Sequence, residues 1–266
     1  MGSARAYLEV VRAQVRAQAQ YRASFAFDVL GSMALVALDV MTVFVLLSVT
    51  GQLGGFGGGG VLLMAALSAA SFATADVFVG SADRLRVHVR DGSFDSLLLR
   101  PLSTLAQLVV ANFAFRRLGR SVQALVFYVV ALCVVDVRWT PASAVLAVVA
   151  PLSGAAFFGS LFVIGATVAF WWTESGEVAN AFTYGGRDFT SYPITMYGDW
   201  FRTLFALCLG FAFVAYLPAL ALLDVPDPLG LWHWLRWCSP LVTALAACLA
   251  ALVWRTGVRA YRSTGS

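Results

Sequence analysis

A chain of 266 residues that is 60% hydrophobic and only 12% charged carries too little polar surface for a water-soluble fold, since an average soluble domain has about 25% charged residues. All 18 basic residues are arginine; without lysine there is no G-x-x-x-x-G-K-[ST] loop, whose lysine must reach the nucleotide phosphates. The net charge of +4 comes without arginines interleaved with stacking aromatics, which excludes a nucleic-acid groove.

Residues 1–28 predict an amphipathic interfacial helix. Leu8, Val11 and Val15 recur at helical spacing, with Arg5, Glu9, Arg12 and Arg16 on the other side. Such a helix rests on anionic lipid or against a protein that flanks the membrane. The basic opening leads into an apolar run with no small-residue cleavage site, so the first helix is expected to stay.

A hydrocarbon core of about 30 Å takes about 20 helical residues. Six runs are of that order: 29–50, 61–81, 121–135, 142–170, 203–223 and 241–254, the third and sixth drawing on their flanks. The fold class is therefore all-α: one six-helix membrane domain over 29–255, with a tail at 256–266. With the amino terminus inside, every arginine except Arg138 and Arg236 lies on the cytoplasmic side, and both ends are cytoplasmic. The lysine-free composition points to a bacterial plasma membrane.

Two acids lie inside spans. Asp39 sits near the centre of the first, where a charge costs about 2.5–3.5 kcal/mol, and Asp76 near the inner end of the second. Both are candidates for a transport pathway or proton relay; the alternative for Asp39 is protonation or a bond to a hydroxyl such as Thr42. The glycine run from Gly54 to Gly60 predicts a flexible outer turn.

The loop from Asp83 to Arg120 holds a short helix candidate. Gly92 breaks the chain before it, Ser93 is placed to cap it, Asp95 favours its positive end and Pro101 stops it after Arg100. Phe94, Leu97 and Leu98 share one face and predict an apolar ridge for a protein partner or the lipid surface, and its rim of Arg90, Asp91, Asp95 and Arg100 has the anatomy of a protein contact. Thr104 and Gln107 form a T-x-x-Q capping box for a second helix running on into the third span.

No catalytic, metal or cofactor site emerges. His88 and His233 have no second histidine at ligand spacing, and the four cysteines make no C-x-x-C pair. Trp171 and Trp172 mark the inner end of the fourth span, and Tyr192, Pro193, Tyr197 and Trp200 precede the fifth in a cytoplasmic segment. Outside, Trp232, Trp234 and Trp237 form a short amphipathic piece, as an aromatic belt or as a gate.

The segment Asp91-Gly92-Ser93-Phe94-Asp95-Ser96-Leu97-Leu98-Leu99-Arg100-Pro101 resembles the basic-x-G-x-[LF]-D-x-L-L-x-[RK]-P stretch of ABC-2 type exporter permeases. Tyr192-Pro193-Ile194, Tyr197, Trp200 and Arg202, followed by 213–219, are similar to the same subgroup's pattern around its fifth span. The resemblance implies an exporter subunit whose segment from Arg90 to Pro101 is a coupling helix docking on a cytoplasmic ABC ATPase dimer. It implies ATP and Mg on that partner and none on this chain, and a second permease subunit, identical or a related sibling, in membrane lipid. Two rivals are an ion- or proton-coupled carrier using Asp39 and Asp76, disfavoured by the lack of an internal repeat, and an intramembrane assembly factor.

Overall fold

The computed structural model describes residues 51–99, 103–111, 116–172 and 176–261, together with ten positions between Leu30 and Ser48 that are all helical and exposed. The amphipathic segment 1–28, Asp39, Arg100 and Pro101 lie outside the described residues, as does most of the first predicted span.

Among the described residues, four helices are long and apolar enough to cross a bilayer: α1 (Gly58–Phe78), α5 (Arg116–Val134, the apolar stretch beginning after Arg117), α6 (Pro141–Thr167, extended by a 3₁₀ turn to Phe170) and α10 (Ser239–Ala260). They coincide with the second, third, fourth and sixth predicted spans, the third and sixth lengthened into their flanks. Helix α6 starts where the sequence signals it, with Thr140 and Ser143 in a reciprocal capping box and Pro141 at the first turn. Helix α1 is the central one. Its Ser71 meets Gly154 of α6 so closely that no Cβ fits there, the small-residue contact that lets membrane helices approach. Phe72 stacks edge-on against Phe158 at 5.3 Å. Helices α5 and α10 turn most of their side chains outward, as lipid-facing helices do.

The contacts fix the two ends of the bundle. Arg117 at the start of α5 meets Asp76 near the end of α1, while Val135 just past α5 meets Gly59. Thr167 and Phe170 meet Gly257 near the end of α10. Helices α1, α6 and α10 therefore run toward an arginine-rich end bearing Arg84, Arg86, Arg90, Arg117, Arg120, Arg255 and Arg259, and α5 runs away from it. The loop between α1 and α5 lies at that end. It holds a 3₁₀ turn Gly80–Arg84, then α2 (Leu85–Arg90), α3 (Phe94–Leu98) and α4 (Thr104–Ala111).

The chain between α6 and α10 departs from expectation. The predicted fifth span, 203–223, is not one helix and turns back instead of crossing: Thr195 just before it bonds Gly54, and Leu222 near its end accepts the Arg138 amide, both at the end opposite the arginines. It is broken into α8 (Asp199–Phe201), which continues as a π-helix Arg202–Cys208, and a piece made of a 3₁₀ turn Phe211–Phe213 and α9 (Tyr216–Leu223). The two pieces meet at 65°. The break is at Gly210, whose φ of +87° suits only glycine and whose added Cβ would stand 2.8 Å from Val242.

Nor does the segment before it stay at the arginine-rich end. Helix α7 (Gly176–Thr190) starts there, with Ala179 against Gly165, and climbs along α1 and α6. Ser68 in the middle of α1 bonds the Arg187 carbonyl at 3.1 Å and the Thr190 hydroxyl at 2.6 Å. Past it, Thr195 donates to the Gly54 carbonyl at 2.6 Å, beside the turn that opens α1. A hydrogen bond cannot span a bilayer, so Tyr192, Pro193, Tyr197 and Trp200 belong to the end opposite the arginines, and so do Asp199 and Arg202, which pair at 2.6 Å. The glycine-rich turn there is itself packed, with Leu53 and Phe56 buried and hydrogen-bonded to each other.

Candidate functional site

The element singled out by the sequence, α3, is a helix of five residues that could not persist alone in water. The turn before it uses Gly92 at φ +68°. Ser93 does not cap it with its side chain; that hydroxyl bonds His88 Nδ1 at 2.8 Å, while the Ser93 carbonyl takes the Ser96 amide and hydroxyl. Burial, seconded by Arg84 and opposed by Asp91, holds the His88 pKa below the usual imidazole range.

What holds α3 is its seat. Phe94 is fully buried, its ring 5.1 Å from Phe170 at the end of α6 and 5.0 Å from Tyr261 just past α10. Leu97 is buried in the same cluster with Leu85, Val89 and Leu108. The predicted ridge of Phe94, Leu97 and Leu98 is thus divided. Two of the three turn inward, because the ends of α6 and α10 supply aromatic surface that a local pattern cannot show. Leu98 and Leu99 face outward, with Leu99 87% exposed. Arg90, Asp91, Ser93 and Ser96 are exposed around them.

The predicted capping box also resolves differently. Helix α4 starts at Thr104 on the Ser103 carbonyl, and the Gln107 amide donates to the Leu97 carbonyl at 3.1 Å. Gln107 therefore caps the end of α3 instead of its own helix.

Asp76 closes the base of the loop. Its carboxylate pairs with Arg117 at 3.1 Å and Arg120 at 3.5 Å, and Arg117 also donates to the Asp76 backbone carbonyl at 3.0 Å. Gly80 leaves the space this cluster fills; a Cβ there would collide with both Asp76 and Arg117. An acid so engaged braces α1 against α5. Next to it, burial pushes the Asp83 carboxyl up to about 6, with Asp76 adding to the shift and Arg117 and Arg86 opposing it.

The predicted external tryptophans are exposed at the opposite end, on and before a 3₁₀ turn His233–Trp237, with Trp232 and Trp234 5.9 Å apart. Asp227 organises that end, accepting the Tyr216 hydroxyl at 2.6 Å and the amides of Leu229 and Leu231.

One feature escaped the sequence. On α7, Glu177, Asn180 and Asp188 fall on one face, opposite the buried Thr183, Gly186, Phe189 and Thr190, while Tyr184 between them lays its ring against Phe72 at 5.3 Å. A polar stripe on a helix that climbs from the arginine-rich end to the middle of an apolar bundle is costly against lipid and suits water or a partner.

An apolar bundle, an arginine-rich end and a short helix wedged under two spans are the setting in which the sequence profile of ABC-2 family transporter proteins matches residues 33–265. The chain belongs to that family. Neither a curated protein nor a solved structure matches it. As an ABC-2 family member it is a multi-pass membrane transport component, and membership implies association with an ABC ATPase partner. The motif that carried the resemblance from Asp91 to Leu99 is the wedged element itself.

Proposed function

We propose that this chain is the permease subunit of an ATP-driven exporter in a bacterial plasma membrane, and that α3 receives the stroke of a cytoplasmic ABC ATPase dimer through Leu98 and Leu99. The observation that carries this is the division of α3: Phe94 and Leu97 are locked between the ends of α6 and α10, while the next two leucines are bare. A push on the bare side has a rigid path into two spans, the kind of contact through which ATPase closure turns into helix rotation. ATP and Mg act on the partner; this chain supplies the lever.

The pathway is proposed to run along the polar stripe of α7, facing a second permease subunit, identical or related, that completes it. The cargo is proposed to be amphiphilic, because among the described residues few polar side chains beyond this stripe face outward from the spans. Both chain ends are proposed to be cytoplasmic, a reading supported by the arginine count, which still favours the α3 end after Arg187 and Arg202 leave it.

The test is co-expression of the permease with its partner ABC ATPase and purification in mild detergent. Leu98→Asp with Leu99→Asp is expected to strip the ATPase from a permease that still inserts and remains monodisperse. An intact complex in that variant overturns the docking assignment.

A further inference from the structure

A groove of about 530 Å³ lies between α1, α6 and α10 at the arginine-rich end. Most of its lining is small and apolar, with Ala155 and Gly159 of α6 and Ala247 and Ala251 of α10, and the larger Phe78 and Trp254 beside them. Along α6 it runs from Leu152 to Val163, about 16 Å at 1.5 Å per residue. That is half of a hydrocarbon core of about 30 Å, the depth of one leaflet. At its mouth are Arg255 and Ser103. Arg255 and Arg259, one turn apart on α10, have no carboxylate partner among the described residues, and Asp76 nearby is held by Arg117 and Arg120.

We propose that this groove is a site for an anionic glycerophospholipid of the adjoining leaflet, with an acyl chain laid along the small residues and the headgroup phosphate on Arg255. Small-residue walls also suit a helix of a second copy. Charge decides between them. A second copy would bring its own arginine-rich end toward Arg255 and Arg259, whereas an anionic leaflet attracts each such arginine. A cation at headgroup level above an apolar slot of one-leaflet depth matches both parts of a phospholipid.

The test uses the full chain in phosphatidylcholine vesicles doped with a phosphatidylglycerol probe carrying a diazirine on one acyl chain. A phosphatidylcholine probe with the same chain is the comparison, and labelled peptides are mapped by mass spectrometry. The anionic probe is expected to label the 152–163 and 247–255 peptides several-fold more than the zwitterionic one. Arg255→Gln should bring the two to the same level, Arg255→Lys should keep most of the difference, and Gly159→Leu should lower labelling by both. Equal labelling of the unaltered protein by the two probes overturns the proposal, even if a variant fails to fold. So does unchanged labelling in Arg255→Gln, or cross-linking of Ala251→Cys to a second copy in place of lipid. No ATPase enters the experiment, so its outcome is independent of the transport reading.

Discussion

Gln107 reaches back from the first turn of α4 to the Leu97 carbonyl, at 3.1 Å, and so fastens α3 from its far end while Phe94 fastens it from the near one. The last carbonyls of a helix have no partner within it, and α3 is so short that this applies to nearly all of them. A buried side-chain amide is therefore part of the element, although it stands ten residues away.

Removing that bond is expected to loosen α3 without unfolding the bundle. Gln107→Leu keeps the volume and loses about 1 kcal/mol of hydrogen bonding, about a five-fold rise in local opening. Hydrogen exchange should show faster exchange at 94–99 with α1 and α6 unchanged. Protection equal to that of the unaltered protein would mean that the bond does not hold the helix.

The division of α3 separates folding from docking. Phe94→Ala empties a fully buried ring site and should cost about 3–5 kcal/mol, read as a lower melting temperature in detergent. Leu99→Ala removes an 87% exposed side chain, should leave the melting temperature within a degree or so, and should weaken ATPase binding. Similar behaviour of the two variants in both measurements would contradict the geometry.

The parts of the fold legible in the sequence are those whose physics is local. Helices α1, α5, α6 and α10 are unbroken apolar runs, and the T-P-x-S start of α6 caps itself. Helix α7 was hidden because Glu177, Arg187 and Asp188 give it the composition of a cytoplasmic loop; only packing shows that Thr183, Gly186, Phe189 and Thr190 form a buried face. The break at Gly210 was hidden for the converse reason, an apolar run on both sides of a glycine whose constraint comes from Val242 on another helix. At α3, periodicity correctly put Phe94 and Leu97 on one side. Which side is covered depended on Phe170 and Tyr261, brought there by the far ends of α6 and α10.

Asp76 should prove structural. Asp76→Asn leaves Arg117 partly buried without its carboxylate, and breaking such a pair costs about 3–5 kcal/mol. The expected result is poor insertion or a lower melting temperature, with Asp76→Asn plus Arg117→Gln recovering much of the loss. A single variant that folds normally and fails only in transport would return Asp76 to the pathway.

Asp83 gives the fold a pH dependence whose sign follows from its raised pKa. Between about pH 4 and about pH 6 the folded protein keeps a proton that the unfolded chain has released. The stability contributed by this group is full below that window, falls as pH rises through it and is level above. Asp83→Asn should remove this slope and melt higher than the unaltered protein at neutral pH. Parallel melting curves across the window for the two proteins would rule the effect out.

The bond between Thr195 and Gly54 makes the strongest demand on topology, because it sets Gly198 and Ser96 on opposite sides of the membrane. Both positions are exposed, and a Cβ at Gly198 meets nothing within 4 Å, so cysteine is tolerated at either. With the four native cysteines replaced, an impermeant maleimide added to intact cells should label Gly198→Cys at once and Ser96→Cys only after lysis. Labelling of both from the same side would place 192–202 back among the cytoplasmic loops. It would also remove the climb of α7, and with it the proposed course of the pathway.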